Sequence, residues 1–342
     1  MSQRERFDSD SVDWTQQHWK AVVGLATTVF ALLVALVLVF EIAVPERGLG
    51  LLEGLSVQFG SVLTLAGLVT QVGDPWFLLM AATLVYLLGV ERSLVAGLRD
   101  GAFVLGVTFS AFSLTDLLKN FFVAPRPPGA STATVPEWLP TALGGAFKSI
   151  TTGTGYAFPS GHALGTTAVV AALAYTLNVG SRTSRWVAGS VVVVLVTASR
   201  VVLGVHFFVD IVAGVVAGLS LFAVAASVGN REPLRVFALG VVLGLLAVVA
   251  SAMSPAGEVW KAGQWLGASL GAGTAWYVAR PSRTLDLRGT ILAGVPIAAL
   301  WIGIYVMEPP LVVTVVGTAL AAATTIATPT LVARLRGFKS SS

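Results

Sequence analysis

The sequence predicts an all-α fold, a polytopic bundle of transmembrane helices. Three observations predict it. Of 342 residues, 55% are hydrophobic and 11% charged, where an average soluble chain carries about 25% charged residues. Several apolar runs reach the ~20 residues a helix needs to cross a bilayer. The Lys and Arg residues fall on alternate loops, as the positive-inside rule requires. The lack of Cys excludes disulfides, thiol catalysis and Cys-zinc sites. The net charge of +4 has no basic stripe behind it, so nucleic acid is not an expected partner.

Residues 1–20 form a polar, mixed-charge tail, and the apolar run that follows is too long to be the core of a cleavable signal peptide, so it is expected to be a signal anchor. Trp14, His18, Trp19 and Lys20 stand where interfacial anchors belong. Ala21–Val44 is the first span. Leu51–Val72 is broken by Glu53, Gln58, Gly60 and Gln71 and reads as an interfacial or re-entrant helix. Trp76–Val90 is a short second span, and Gly101–Phe122 a third that carries Asp116 and Lys119 near its end. The Pro- and Thr-rich stretch Val123–Ala157 reads as a structureless lid or binding loop. Spans follow at Phe158–Asn178, Trp186–Gly204 and His206–Val228. The last third adds Val236–Met253, Val259–Val278, Gly289–Val306 and Leu311–Val332, for ten spans in all.

With the N-terminus in the cytoplasm and Leu51–Val72 not crossing, all but six of the 21 Lys and Arg lie inside. Both termini are then cytoplasmic in a multi-pass protein of the cell membrane. The six outer cations are Arg47, Lys119, Arg126, Lys148, Arg200 and Lys261, and three of them fall within motifs. Basic residues near hydrocarbon are costly unless they pair or hold an anion.

Those motifs share the outer face. Lys119-x6-Arg126-Pro127 ends the third span. Pro159-Ser160-Gly161-His162 opens the fourth, and Ser199-Arg200-x5-His206-x3-Asp210 joins the fifth to the sixth. A helix start offers unpaired N–H groups and positive dipole character to a phosphate. Arg binds phosphate as a bidentate fork and Lys as a point charge. Asp210, four residues after His206, shares its helix face. A carboxylate there can accept a hydrogen bond from the Nδ1–H, fix the tautomer and leave Nε2 free as a nucleophile. No carboxylate or His cluster in the sequence suits a metal, and no cofactor is expected.

Each feature alone has a plainer reading. His162 can be a structural His at a helix start, and Arg200 can snorkel to the headgroups. Asp116 reads as a supporting partner of Lys119 three residues on. Tyr156 and Phe158 either shape the pocket or belong to an aromatic belt. Gly214-x3-Gly218 and Gly267-x3-Gly271 suit close helix packing. Trp138 and Phe147, in the long loop, are expected to touch lipid or gate the site.

The three motifs together resemble those of the type 2 phosphatidic acid phosphatases, a superfamily that includes lipid phosphate phosphatases, isoprenyl diphosphate phosphatases, glucose-6-phosphatases and soluble vanadium haloperoxidases. All fixed positions match in order, and the resemblance covers the six-span core from Ala21 to Val228. It implies that His206 attacks phosphorus while Asp210 orients it. It implies that His162 protonates the leaving oxygen and then activates water. Lys119, Arg126, Arg200, Ser160 and the Gly161 N–H would hold the phosphoryl oxygens, with no metal. The haloperoxidase branch is a poor fit, being soluble. The implied activity is hydrolysis of a lipid phosphate or diphosphate, of isoprenyl diphosphate or phosphatidic acid type, at the extracytoplasmic face. A lipid phosphotransferase using the same phosphohistidine, and an anion-binding transporter or scaffold, are the alternatives. Residues 229–342, four spans outside the resemblance, are open to three roles: stabilising a homodimer, widening the lipid groove or serving a partner.

Overall fold

The computed structural model describes Thr28 and residues 60–229, 232–281 and 284–339. The tail at 1–20 and the expected first span Ala21–Val44, Thr28 apart, lie outside the described residues, as does the start of the Leu51–Val72 run.

All regular structure among the described residues is helical. Helix α1 (Gly60–Thr70) runs into a 3₁₀ turn (Gln71–Gly73), and α2 (Pro75–Leu88) follows at a bend of 44°. The bend has a local cause. Asp74 caps α2, its side chain accepting from the Trp76 N–H at 3.4 Å, and Pro75 occupies the first helical position, where its fixed φ and missing N–H suit a helix start. The remaining helices are α3 (Leu98–Phe122), α4 (Gly144–Thr151), α5 (Gly161–Thr176), α6 (Arg182–Val202), α7 (Phe208–Gly229), α8 (Pro233–Met253), α9 (Val259–Ala279), α10 (Leu287–Met307) and α11 (Leu311–Lys339).

Helix α3 is the axis of the bundle. It packs against α2, α5, α7, α8 and α9 and is buried nearly all round from Leu98 to Thr115. A helix that meets protein on every side needs no amphipathic stripe. Its Thr108 and Thr115 hydroxyls donate to the carbonyls of Val104 and Ala111, at 2.8 and 2.9 Å, so these polar groups are satisfied within their own helix, as an apolar interior demands. The C-terminal helices pack onto the same core. Helix α8 lies along α3, α9 fits against α8 and α3, and α11 against α9. The Tyr86 hydroxyl of α2 donates to the Ile326 carbonyl of α11 at 2.7 Å.

Among the described residues six helices are long and apolar enough to cross a membrane, or seven with α1 and α2 as one bent span. The expected span Trp76–Val90 yields α2, whose 14 residues count only when joined to α1, the run expected not to cross, and two further expected spans are not among them. The Phe158–Asn178 run yields α5, with 16 residues, about 24 Å at 1.5 Å per residue against a hydrocarbon core of ~30 Å. The Val259–Val278 run yields α9, whose Gln264, Ser269 and glycines face other helices. Neither helix has to be continuously apolar, because protein covers most of its surface. The 123–157 stretch is also not structureless. It contains α4, which packs on α1 and buries Phe147 at 3% exposure. Phe147 therefore neither touches lipid nor gates a site, whereas Trp138 is exposed.

Candidate active site

The three motifs and the α1–α2 bend meet at one end of the bundle. Two close approaches bring them there. A Cβ on Gly214 of α7 would lie 2.7 Å from the Ser160 carbonyl and from the Ala163 Cβ of α5, so the small residue lets α7 lie directly on the start of α5. The Ser160 N–H then donates to the Asp210 carbonyl at 3.0 Å, which fastens the second motif to the third. On the other side, a Cβ on Gly161 would lie 2.8 Å from Thr115 Cγ2 and 3.7 Å from Lys119 Nζ. The start of α5 thus sits beside Thr115 and the Lys119 ammonium. Thr115 is two turns before the end of α3 at Phe122, so the site is recessed by roughly 10 Å from that end.

His206 and Asp210 form the centre. The His206 Nδ1 lies 3.3 Å from Asp210 Oδ2, both side chains buried, and the Phe207 N–H donates to the same oxygen at 3.0 Å. Between α6 and α7 the chain turns through Gly204, at φ +66°, a left-handed conformation glycine adopts without steric cost. That turn sets His206 one residue before Phe207 and the helix that carries Asp210.

Arg126 decides the tautomer. Its Nε donates to the carbonyls of Thr154 and Gly155 at 2.9 and 3.2 Å, and its Nη1 donates to the Val205 carbonyl at 2.8 Å. The same Nη1 is 3.2 Å from His206 Nε2. Burial brings this guanidinium down to about 10, with Asp210 acting in the opposite sense, so it stays charged at neutral pH. A guanidinium only donates. His206 Nε2 must therefore accept, and the ring proton sits on Nδ1, facing Asp210. The Nε2 lone pair points to the cationic side of the site.

The other predicted residues complete that side. Ser160 is the N-cap of α5, its Oγ accepting from the Ala163 N–H at 3.4 Å. Arg200 is buried at the end of α6 and donates from Nη1 to the Thr70 hydroxyl at 3.0 Å, while its Nε has no hydrogen-bond partner among the described residues. His162 stands one residue inside α5, and its Nε2 lies 3.8 Å from Asp74 Oδ2. Lys119, Arg126 and Arg200 are all within electrostatic reach of both histidines. The arrangement can hold a tetrahedral oxyanion among three cations and a helix start, with a nucleophilic nitrogen on one side.

Asp116 has a buried Oδ2 without a hydrogen-bond partner among the described residues, in electrostatic reach of Lys119 and Lys261. Phe158 is wholly buried and packs edge-to-face on Phe122, with ring centroids 5.0 Å apart, so it is a core residue. The Tyr156 hydroxyl accepts from Ser254 Oγ at 2.9 Å and from the Ala256 N–H at 3.0 Å, which ties the approach to α5 to the turn between α8 and α9. Sequence reading passes over Thr70 and Asp74. The available signals are Asp directly before Pro, an N-cap pattern, and an acid within an apolar run, which marks a functional position by default.

The sequence profile of the PAP2 superfamily matches residues 100–233. An undecaprenyl-diphosphatase of Sulfolobus acidocaldarius is 35% identical over 82 residues, 24% of this chain and 38% of that protein. The chain thus matches well under half of that relative's length. No solved structure matches.

Proposed function

We propose, on the match of residues 100–233 to the PAP2 superfamily and on the geometry of the site, that the chain is a membrane-embedded phosphatase that hydrolyses a lipid phosphate or diphosphate through a phosphohistidine. The observation that carries the reading is the His206 ring, bracketed by Asp210 on Nδ1 and by the Arg126 guanidinium on Nε2. In the first step Arg126 turns to a phosphoryl oxygen and the Nε2 lone pair attacks phosphorus. The P–O bond to the lipid breaks, and its electron pair leaves on the lipid oxygen, which takes a proton from His162. Asp210 accepts the Nδ1–H and stabilises the positive charge of the phosphorylated ring. In the second step His162 takes a proton from water, the resulting hydroxide attacks phosphorus, and the P–N bond breaks to restore His206. Lys119, Arg126, Arg200, the Ser160 side chain and the Gly161 N–H hold the phosphoryl oxygens as charge shifts in the transition state.

The recess beside Thr115 supports a substrate whose headgroup enters while its tail stays in the membrane. The excess of Lys and Arg on the opposite loops supports an extracytoplasmic site. The relative's name, undecaprenyl-diphosphatase, favours an isoprenyl diphosphate over phosphatidic acid.

The test is free phosphate release by purified protein in detergent with EDTA, from a panel of isoprenyl diphosphates and glycerolipid phosphates. The expected outcome is release that persists with EDTA and falls to background in His206→Ala. Release from no substrate overturns hydrolysis, and transfer to an added alcohol acceptor would then identify a phosphotransferase.

A further inference from the structure

The proposed reaction uses two histidines, and only His206 has its carboxylate within its own motif. His162 Nε2 is buried and has no hydrogen-bond partner among the described residues. Asp74 Oδ2 faces it at 3.8 Å. Asp74 comes from the α1–α2 bend, outside the residues matched by the superfamily profile. Its two oxygens are divided, with Oδ1 accepting from the Trp76 N–H at the start of α2 and Oδ2 turned to the histidine. The same bend sends Thr70 to Arg200, so it touches two motif residues. The bend is pressed against them: a Cβ on Gly73 would meet Val196, lie 2.6 Å from Thr166 Oγ1 and lie 3.4 Å from His162 Cδ2.

We propose that Asp74 is the positioning carboxylate of His162, accepting the Nε2–H during turnover and leaving Nδ1 to give and take the catalytic proton. This rests on the phosphatase reading. A separation of 3.8 Å exceeds a hydrogen bond, and catalytic contacts of this kind are often long before substrate binds and tighten in the complex. Arg200 from α6, Lys119 from α3, Arg126 from the long loop and His206 from the α6–α7 turn face His162 as well. Those cations oppose its protonation. The bound phosphate offsets them, and Asp74 supplies the negative charge that lets the ring carry a second proton.

Asp74→Asn tests this, because Asn keeps an acceptor for the α2 cap while removing the charge. A general acid matters most when the leaving group is poor. The kcat/KM for an alkyl phosphate, which reports the step in which the leaving group departs, is expected to fall about 10- to 100-fold, while kcat/KM for p-nitrophenyl phosphate, whose leaving group needs no proton, falls far less. The alkaline limb of the kcat profile on the alkyl phosphate, which reports the enzyme–substrate complex, should move to lower pH, since His162 without Asp74 loses its acidic proton more readily. Asp74→Glu, which keeps the charge, should leave that limb in place even where kcat falls. Equal losses on both phosphates with an unmoved limb would show that Asp74 only caps α2 and overturn the assignment. Wild-type rates in Asp74→Asn would overturn it too. No phosphate release by the wild type would instead overturn the phosphatase reading, and this assignment with it.

Discussion

The two histidine–carboxylate pairs of the site are built in opposite ways. His206 and Asp210 are four residues apart, one in the turn before α7 and the other in its first turn, buried together, with Nδ1 and Oδ2 at 3.3 Å. His162 and Asp74 come from different helices, at 3.8 Å, with partial exposure of both side chains. The first pair is closed before substrate arrives, as a nucleophile requires, since its tautomer must be fixed for attack. The second is loose, as suits a residue that must gain a proton in one step and lose it in the next. A covalent neighbourhood fixes the first geometry and the packing of the α1–α2 bend against α5 fixes the second.

The largest effect expected from breaking this comparison is on the closed pair. Asp210→Asn removes the negative charge and lets an amide N–H face Nδ1, so the ring can adopt the wrong tautomer, and should lower kcat by about 10²- to 10⁴-fold, more than Asp74→Asn. Rapid-quench measurement of the phosphoenzyme should find that its formation is the slowed step. If Asp74→Asn were the more damaging change, the ranking of the pairs drawn here would be reversed.

The same contrast explains how much of the molecule was legible in the sequence. The helical bundle follows from composition and run length. The motif residues follow from local spacing: four residues keep Asp210 within reach of His206, although α7 begins only at Phe208 and His206 stands in the turn before it and not on the same helix face. Contacts between distant segments leave no such mark. Thr70 and Asp74 look like the polar end of an apolar run until the bend places them beside Arg200 and His162. Phe147 reads as a loop aromatic until α4 turns it inward. Helices α5 and α9 are shorter or more polar than a span facing lipid because neighbouring helices cover them, and coverage is a property of the assembled bundle. The hydroxyl bond from Tyr156 to the α8–α9 turn is likewise invisible before α8 lies along α3.

A middle-sized effect should come from Thr70, the other contact of the bend. Thr70→Val removes the acceptor for Arg200 Nη1, and Arg200 Nε already has no hydrogen-bond partner among the described residues. One hydrogen bond is worth about 0.5–1.5 kcal/mol, so kcat/KM should fall by roughly two- to twelve-fold. The loss should appear mainly in KM, because the guanidinium is misdirected rather than removed. A product inhibition series with inorganic phosphate would detect the same change as weaker binding. A fall in kcat alone would mean that the bend serves His162 and not the anion site.

The smallest effect is expected at the turn that delivers His206. Gly204 has φ +66°, and a Cβ added there meets nothing within 4 Å. The cost of Gly204→Ala is then conformational alone, about 1 kcal/mol or slightly more for an L-residue held in the left-handed region. The variant should unfold at a temperature about one to two degrees lower and hydrolyse substrate at close to the wild-type rate, because the bond from His206 to Asp210 holds the ring even when the turn is strained. Differential scanning of the detergent-solubilised variant beside its phosphate release measures both. A loss of kcat comparable to that of Asp210→Asn would mean that the turn, and not the paired carboxylate, aims the nucleophile. The closed pair would then depend on its surroundings as much as the loose one does.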